Sequence, residues 1–561
     1  MSFDTHFIDL HLHPSLKPYH RSAEGVTTDI WEEVAANEES YRSLSKPIRK
    51  TIAELARGSQ TNLKRFKPGR IRGGLFTLYS IERGLFRLCI TNLILRLFLK
   101  KRHYPHLGAT ISGIPFAKVQ RILMRIENGQ GIDYYEEELL PEYRYVVSQA
   151  NTNTLDGRQL VIARDYDHFK STVVNQPDAI VTIFNIEGAH SLCSYKRDKF
   201  FSLRLDFNQQ KYFFADGEPL SDADRNEIEQ CLLISVDRIK GKTNDPLSFA
   251  ADHTPFYLTF CHMFWNLMAG HAKSFGAKKG LLQPGMENLF DQKLGQNEGI
   301  TPLGKIVIEA LLNRDNGRRI LIDIKHMSLK SRLEYYRIIR NKRETENDLI
   351  PILCTHGAMN GFEDMASNLQ SVDDWSTDKN AYFSRWSINL NNEDIREIHA
   401  SSGLIGLVFH EFRVPGGKAK RQFELLKKKG NKSDLKKAYI KLIMSNIFQV
   451  IQVVRDKSAW DMICLGSDFD GLVDPYNSYA SIDQFKDFAK DMGNFLSQPE
   501  DLIGCKNNQE GVVPAEKVKE LMYGYNAEEL VAKFSHQNLE GFLKKYFNKA
   551  YLEKPASAPI T

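Results

Sequence analysis

Short apolar runs alternate with longer polar and amphipathic segments along the chain. The runs are bounded by Gly, Pro or charged residues, a pattern typical of buried parallel strands. The predicted strands are residues 7–14, 73–80, 179–190, 256–262, 319–326, 349–356, 403–409 and 462–467. Helical patterns separate most of them. Strands that alternate with helices in this way predict an α/β fold, a (β/α)8 TIM barrel.

One of the connecting helices has clear start and stop signals. Thr301 can cap a helix, Pro302 suits its first position, and Gly317 lies near its end. Leu303 and Val307 belong to one apolar face at helical spacing. The segment is therefore predicted to be an amphipathic helix packed on the barrel.

The length of the chain requires additions to a simple barrel. The chain has 561 residues, whereas a barrel of this kind usually has about 250. We expect one domain over residues 1–550, with helical insertions at about 84–175, 363–385 and 413–440. Residues 551–561 are predicted to be a flexible C-terminal tail.

Composition and charge narrow the class of protein. The formal net charge is +5, which is too small on this length to indicate a nucleic-acid partner. The most apolar stretch, residues 84–99, contains Arg87 and Arg96, which favours a buried amphipathic helix over a membrane span. The 7 cysteines include no Cys-x-x-Cys pair, and the N-terminus has no signal-peptide pattern. We therefore expect a cytoplasmic protein with reduced thiols and no membrane partner.

Histidine or acidic side chains stand at the ends of several predicted strands. They are His11, His13, Glu187, His326, His356 and Asp468. A barrel gathers the carboxyl ends of its strands on one face, where enzymes of this fold keep their active sites. Any one of these side chains is equally well explained as a hydrogen-bonded core or turn residue. Together, imidazoles and carboxylates predict a site for a divalent metal such as zinc.

Several motifs carry a resemblance to a known family. They are His11-x-His13, Ile186-Glu-Gly-x-His190, Leu321-Ile-Asp-x-x-His326, Thr355-His-Gly357 and Gly466-Ser-Asp-Phe-Asp-Gly471. In this order they resemble the membrane (renal) dipeptidase family of the binuclear-metal amidohydrolase superfamily. The resemblance extends from His11 to about Leu472 and is interrupted by the insertions.

The resemblance implies a role for each matching residue. His11 and His13 would bind one zinc ion, His326 and His356 would bind a second, and Glu187 would bridge the two. Asp468 would complete the first site and carry the proton during catalysis. His262 would contact the substrate and stabilise the oxyanion, although a packed strand-end histidine is the alternative. His190, Asp323 and Asp470 are expected to be supporting or structural residues.

The chain departs from the family pattern near the substrate. His13 stands where the family usually has Asp, which leaves a good ligand with one negative charge less. The family has a substrate-binding Arg about eleven residues after the Thr-His motif, but this chain has Ser367 there. Arg385 is either the displaced equivalent or a surface arginine. Peptide length and side-chain preference stay open because loops at the barrel mouth set specificity.

The resemblance implies a zinc-dependent, dipeptidase-like metallohydrolase. It would cleave dipeptides or similar small amides by means of a metal-bridged hydroxide, and it could form a homodimer, as family members commonly do. The alternatives are another amidohydrolase or a phosphoesterase activity on the same barrel and, from a different class, a catalytically silent binding protein.

Overall fold

A computed structural model of the chain defines its fold. It describes residues 5–25, 28–53, 56–89, 97–150, 152, 154, 157–276, 286, 289–370 and 378–554. The predicted tail begins with the described residues 551–554, and its remainder lies outside the described residues, as do parts of the predicted insertions at 84–175 and 363–385.

The strands form one large sheet and three small ones. They are β1 (Phe7–Leu12), β2 (Ile71–Leu78), β3 (Gln130–Asp133), β4 (Gln159–Ile162), β5 (Ala179–Glu187), β6 (Ser194–Arg197), β7 (Arg204–Asp206), β8 (Lys211–Phe213), β9 (Tyr257–Thr259), β10 (Leu321–Asp323), β11 (Leu353–Gly357), β12 (Leu404–Leu407), β13 (Ile463–Leu465), β14 (Leu502–Lys506) and β15 (Gln509–Val513). β3 pairs with β6, β7 with β8, and β14 with β15 in two-stranded sheets.

The large sheet has the strand order of a barrel. Its order is β1-β2-β5-β9-β10-β11-β12-β13, and β4 pairs with β5 outside this path. Neighbouring strands pair in parallel, for example Ile405 with Ile463, and a parallel bridge between Leu12 and Phe469 joins the first strand to the segment after the last. The predicted (β/α)8 barrel is confirmed. Because its strands are covered on both sides, β1, β5, β9, β10, β11, β12 and β13 are buried along their whole length.

Strand existence was predicted better than strand length. Each of the eight predicted runs overlaps one strand of the barrel, but β9 and β10 have only three residues each. The predicted runs around them continue to His262 and His326, which lie in the loops beyond the strands. Apolar character does not distinguish a buried strand from the buried loop that follows it, and so these ends were placed too late.

The helices cover most of the remaining chain. The α-helices are Leu16–Ser22, Glu38–Arg42, Lys46–Ile52, Phe66–Gly69, Tyr104–Ser112, Phe116–Glu127, Leu140–Ala150, Tyr166–Asn175, Asp222–Ile239, Pro302–Leu312, Leu329–Glu346, Met365–Gln370, Asn392–Ala400, Gly417–Lys428, Lys432–Val454, Phe485–Ser497, Ala515–Leu521, Ala527–Ala532, Asn538–Tyr546 and Lys549–Leu552. π-helical segments occupy Tyr135–Leu139 and Lys533–Gln537. Single 3-10 turns are Leu63–Arg65, Arg83–Phe86, Lys101–His103, Ala189–Leu192, Asp198–Ser202, Ala251–His253, Lys457–Asp461 and Ile482–Gln484.

The helix predicted at Thr301 forms as expected. It spans Pro302–Leu312, and the Thr301 side chain accepts a hydrogen bond from the Gly304 amide. The insertion predicted as helical over residues 84–175 also contains two strands, β3 and β4. Among the helices of the described residues, none is both long enough and apolar enough to cross a membrane.

The chain divides into two compact units. Unit 1 comprises Met1–Leu12, Leu63–Gly74 and Tyr336–Gly541, and unit 2 comprises His13–Asn62, Leu75–Tyr335 and Phe542–Thr561. The single domain over residues 1–550, with insertions at the stated places, stays a prediction.

Candidate metal centre

The predicted ligands lie at or just beyond the carboxyl ends of barrel strands. His11 and His356 are within β1 and β11, Glu187 is the last residue of β5, and His13 directly follows β1. His262, His326 and Asp468 each lie three residues beyond the end of a strand. All of these side chains are buried, and the most exposed of them, His326, has only 8% of its surface accessible.

In unit 2, three imidazoles surround the carboxylate of Glu187. His13 Nε2 lies 3.1 Å from Glu187 Oε2, and His262 Nε2 lies 3.6 Å from the same oxygen. His326 Nε2 lies 3.6 Å from Glu187 Oε1. We call these four residues the Glu187 cluster. Each oxygen of the carboxylate therefore faces at least one imidazole nitrogen.

In unit 1, two imidazoles flank the carboxylate of Asp468. His11 Nε2 lies 3.9 Å from Asp468 Oδ1, and His356 Nε2 lies 4.0 Å from Asp468 Oδ2. The two rings are 4.1 Å apart between centroids. We call these three residues the Asp468 cluster. The Asp468 amide also donates a hydrogen bond to the His11 carbonyl at 2.9 Å, which fixes the turn beside β1.

The hydroxyl of Thr355 orients both histidines of the Asp468 cluster. Thr355 Oγ1 lies 3.1 Å from His11 Nδ1 and 2.9 Å from His356 Nδ1. A hydroxyl oxygen has two lone pairs and can accept a hydrogen bond from both Nδ1–H groups. When Thr355 accepts from both rings, Nδ1 is the protonated nitrogen and Nε2 is the nitrogen available to a metal.

Close backbone packing holds Thr355 in place. A Cβ on Gly406 or on Gly466 would lie 1.9 Å from the Thr355 carbonyl oxygen. No side chain fits at either position, which explains the first glycine of the Gly466–Gly471 motif. Asp9, buried beneath the same turn, accepts hydrogen bonds from the amides of His11 at 3.1 Å and Ser467 at 3.0 Å. Burial raises the pKa of Asp9 to about 6.

Two of the predicted ligands have an uncommon backbone conformation. His326 has φ of 65° and Asp468 has φ of 56°, both in the left-handed region. Residues other than glycine rarely adopt this region, and such residues concentrate at functional sites, where the surrounding structure holds them. The loops beyond β10 and β13 thus direct these two side chains, and the unusual backbone conformation costs some free energy.

A buried carboxylate, Glu82, fixes the ring of His262. Glu82 Oε2 lies 2.6 Å from His262 Nδ1, and Glu82 also accepts hydrogen bonds from the amides of Met263 and Phe264. Burial alone would raise the pKa of Glu82, but the nearby imidazoles of His262 and His190 and these hydrogen bonds outweigh it and lower the pKa. Glu82 is therefore an ionised partner for the imidazole.

Two of the residues predicted to support the site, His190 and Asp323, have hydrogen-bond partners in the barrel. His190 Nε2 lies 2.7 Å from the Ser80 carbonyl oxygen, and Asp323 Oδ2 accepts a hydrogen bond from the Thr259 hydroxyl at 2.7 Å. Asp470, like Asp468, has a positive φ, of 68°.

Arg385 is buried and contacts an acidic side chain. Its Nη2 lies 3.6 Å from Glu510 Oε1, and its guanidinium stacks on the Phe362 ring with 5.0 Å to the centroid. Only 7% of its surface is exposed, so it is not a surface arginine. Its role in substrate binding stays a prediction.

The side chains of these clusters suit a divalent metal. Two ligand atoms that share a tetrahedral zinc ion lie roughly 3.3 Å apart, because Zn–N and Zn–O bonds are about 2.0–2.2 Å. The separations of 3.1 Å from His13 and 3.6 Å from His326 to the Glu187 carboxylate are close to this spacing. Imidazole and carboxylate are also the donors that zinc prefers among nitrogen and oxygen ligands.

Sequence patterns did not identify Glu82 or Asp9 as parts of the site, and they assigned no role to Thr355 of the Thr355-His-Gly357 motif. Thr355 lies next to a predicted ligand and Asp9 lies two residues before another, so their positions carried a weak signal. Glu82 follows β2 by four residues, in a segment whose pattern predicts no ligand. Its contact with His262 joins residues 180 positions apart.

Comparisons with known proteins give no sequence relative. No family model matches the chain, and no curated protein matches it.

Among the solved structures that this chain matches are metallopeptidases of low sequence identity. A dipeptidase of peptidase family M19 is 14% identical, with 97% of this chain and 99% of that chain covered and a TM-score of 0.43. A Rhodobacter sphaeroides metallopeptidase, solved with a phosphinate mimic of the dipeptide L-Ala-D-Ala, is 14% identical over 96% and 99% of the chains, with a TM-score of 0.46. The probable dipeptidase PvdM from Pseudomonas aeruginosa is 12% identical over 86% and 88%, with a TM-score of 0.37. We assign the fold of this chain from the strand order of its own sheet. We infer the chemistry of its site from the side chains described above.

Proposed function

We propose that this protein is a metal-dependent hydrolase that cleaves the amide bond of dipeptides or similar small amides. The observation that carries the proposal is the buried Glu187 carboxylate, which has imidazole nitrogens of three histidines within 3.1–3.6 Å. A buried carboxylate at a strand end, surrounded by imidazoles, has the chemistry of a metal ligand. The dipeptide class rests on the sequence motifs.

Two zinc ions would be held in the arrangement that the motifs imply. His11 and His13 would bind one, His326 and His356 the other, and Glu187 both. Bound metal would lower the pKa of a water molecule and polarise the amide carbonyl. Thr355 would keep the rings of its two histidine partners oriented for this purpose.

Asp468 is the proton carrier in this proposal. Its carboxylate would accept a proton from the attacking water and deliver it to the leaving amine nitrogen, as a general base and then a general acid. The left-handed backbone of Asp468 and its amide hydrogen bond to the His11 carbonyl support this role, because they fix the direction of the side chain.

His262 would stabilise the negative charge that develops on the carbonyl oxygen. Its Nδ1 is held by Glu82, so Nε2 is the nitrogen directed toward the Glu187 carboxylate. A donor fixed in advance costs no reorganisation during the reaction. Glu82 balances positive charge on the ring and is a positioning residue.

A second candidate function is phosphoester or lactone hydrolysis on the same barrel. The contact between Arg385 and Glu510 favours this alternative. The Glu510 carboxylate already neutralises Arg385, which is the arginine predicted to bind the carboxylate of a dipeptide. One preparation assayed against dipeptides, phosphodiesters and lactones separates the two. Hydrolysis of dipeptides alone supports the first function, and phosphodiester or lactone hydrolysis without peptide cleavage contradicts it. The cytoplasmic location and the homodimer stay predictions.

A further inference from the structure

A second group of metal-binding side chains lies in unit 1, at the opposite end of β1. It consists of His6, His536 and Glu540, which we call the His6 cluster. His6 directly precedes β1, whereas His11 is five residues further along the strand. At about 3.3 Å per residue, this separation is roughly 16 Å, so the cluster is distinct from the predicted centre.

The geometry of the His6 cluster brings its three donor atoms together. His6 Nε2 lies 3.5 Å from Glu540 Oε1, and His536 Nδ1 lies 3.3 Å from the same oxygen. Ligand atoms on one tetrahedral zinc ion are roughly 3.3 Å apart. Both separations are therefore close to the edge of a zinc coordination tetrahedron.

Local structure holds the cluster in position. His536 lies in the π-helical segment Lys533–Gln537, and Glu540 lies in the next helix, four residues further along the chain. π-helical turns often occur at functional positions. The hydroxyls of Thr5 and Ser535 are 2.7 Å apart and tie the residues before His6 and His536 together.

We propose that His6, His536 and Glu540 bind one divalent transition metal, of the zinc type, with water in the fourth position. Two imidazole nitrogens and one carboxylate oxygen are a ligand set that suits zinc, cobalt or nickel better than magnesium or calcium.

Metal binding has to overcome two opposing features. The imidazoles of His6 and His536 are stacked at 3.9 Å with 19° between their planes, and they must rotate before both lone pairs point at one ion. The positive charge of Arg72 also acts on His6. Both features predict a weaker site than the Glu187 cluster, where a carboxylate faces imidazoles on both oxygens.

The role of this metal would be structural. It would connect the start of β1 to a helix close to the C-terminal end, across some 530 positions of sequence. A metal bound only by the folded chain adds its binding free energy to stability. Side chains at the amino end of barrel strands commonly serve stability, whereas catalysis occurs at the carboxyl end.

The test compares metal content in matched variants of the full-length protein. Each protein is stripped with a chelator, loaded with excess zinc, desalted and analysed for zinc per chain. We expect the His536→Ala and Glu540→Gln variants each to hold one zinc ion per chain fewer than the unmodified protein. This difference does not depend on how many zinc ions bind at other sites. The control is His399→Ala, which removes another partly buried histidine of unit 1 that hydrogen-bonds Ser458.

A thermal unfolding measurement keeps the proposal falsifiable. Zinc should raise the unfolding temperature of the unmodified chain and of His399→Ala more than that of Glu540→Gln, which retains the shape of the side chain. Peptide hydrolysis at saturating zinc should be the same in all these proteins. Equal zinc content and equal zinc-induced stabilisation in all variants would overturn the proposal, and would leave the proposed hydrolase function untouched.

Discussion

Replacing Thr355 with valine should weaken metal binding without changing the shape of the core. The substitution removes the hydroxyl that lies 3.1 Å from His11 Nδ1 and 2.9 Å from His356 Nδ1. Both Nδ1–H groups then lose a buried acceptor, and the rings lose the contact that sets their tautomer.

The expected magnitude follows from these two hydrogen bonds. A typical intramolecular hydrogen bond contributes about 0.5–1.5 kcal/mol, so the pair contributes about 1–3 kcal/mol. This corresponds to a loss of roughly 5- to 150-fold in zinc affinity. In other metal sites, removing a residue that hydrogen-bonds a metal ligand typically lowers affinity by about 10- to 100-fold, which agrees with this range.

The assay is a zinc titration of the metal-free protein in competition with a chromophoric chelator. The matched control is Thr182→Val, the same exchange in β5, because the buried Thr182 hydroxyl finds no hydrogen-bond partner among the described residues. Thr182→Val should bind zinc as the unmodified chain does. If Thr355→Val also binds zinc with unchanged affinity, the two histidines are not metal ligands oriented by Thr355.

Three further substitutions test the proton carrier, the partner of His262 and the buried Lys240. Asp468→Asn should lower kcat by at least about 100-fold in metal-loaded protein, since a proton carrier contributes on the order of 10²–10⁴; full turnover would exclude this role. Glu82→Gln should lower kcat but have no further effect in a His262→Ala background, and additive losses in this double-mutant cycle would refute the coupling. Burial lowers the pKa of Lys240 to about 7 although its Nζ donates to three oxygens. The unfolded chain then binds more protons than the folded one between pH 7 and about 10, so the free energy of unfolding should rise over this range, and Lys240→Met should flatten the rise in denaturant titrations at several pH values.

The eight strands of the barrel could be predicted from the sequence, because each one has a contiguous apolar run. The positions of His11, Glu187 and His356 in the fold were also predictable, because these residues lie within apolar runs that form strands. Their role as metal ligands stays a prediction. The ends of β9 and β10 were misplaced, because the loops that carry His262 and His326 are as buried as the strands.

Contacts between distant segments could not be predicted in the same way. Glu82 and His262 are far apart in sequence, and neither segment contains a pattern that refers to the other. The same holds for the Thr355 hydroxyl, whose partner His11 is 344 positions away. The clash of a Cβ at Gly466 with the Thr355 carbonyl depends on the packing of neighbouring strands, which a single sequence does not record.

Amide hydrolysis by this protein should depend on metal held by the strand-end side chains. The most direct measurement is the rate of dipeptide hydrolysis by chelator-treated protein as zinc is added back in known equivalents. We predict no hydrolysis without metal and a rate that rises with zinc and saturates when two ions per chain are bound at the strand ends. Full hydrolysis by the metal-free protein, or no hydrolysis of any dipeptide by a folded protein loaded with zinc, would contradict the claim.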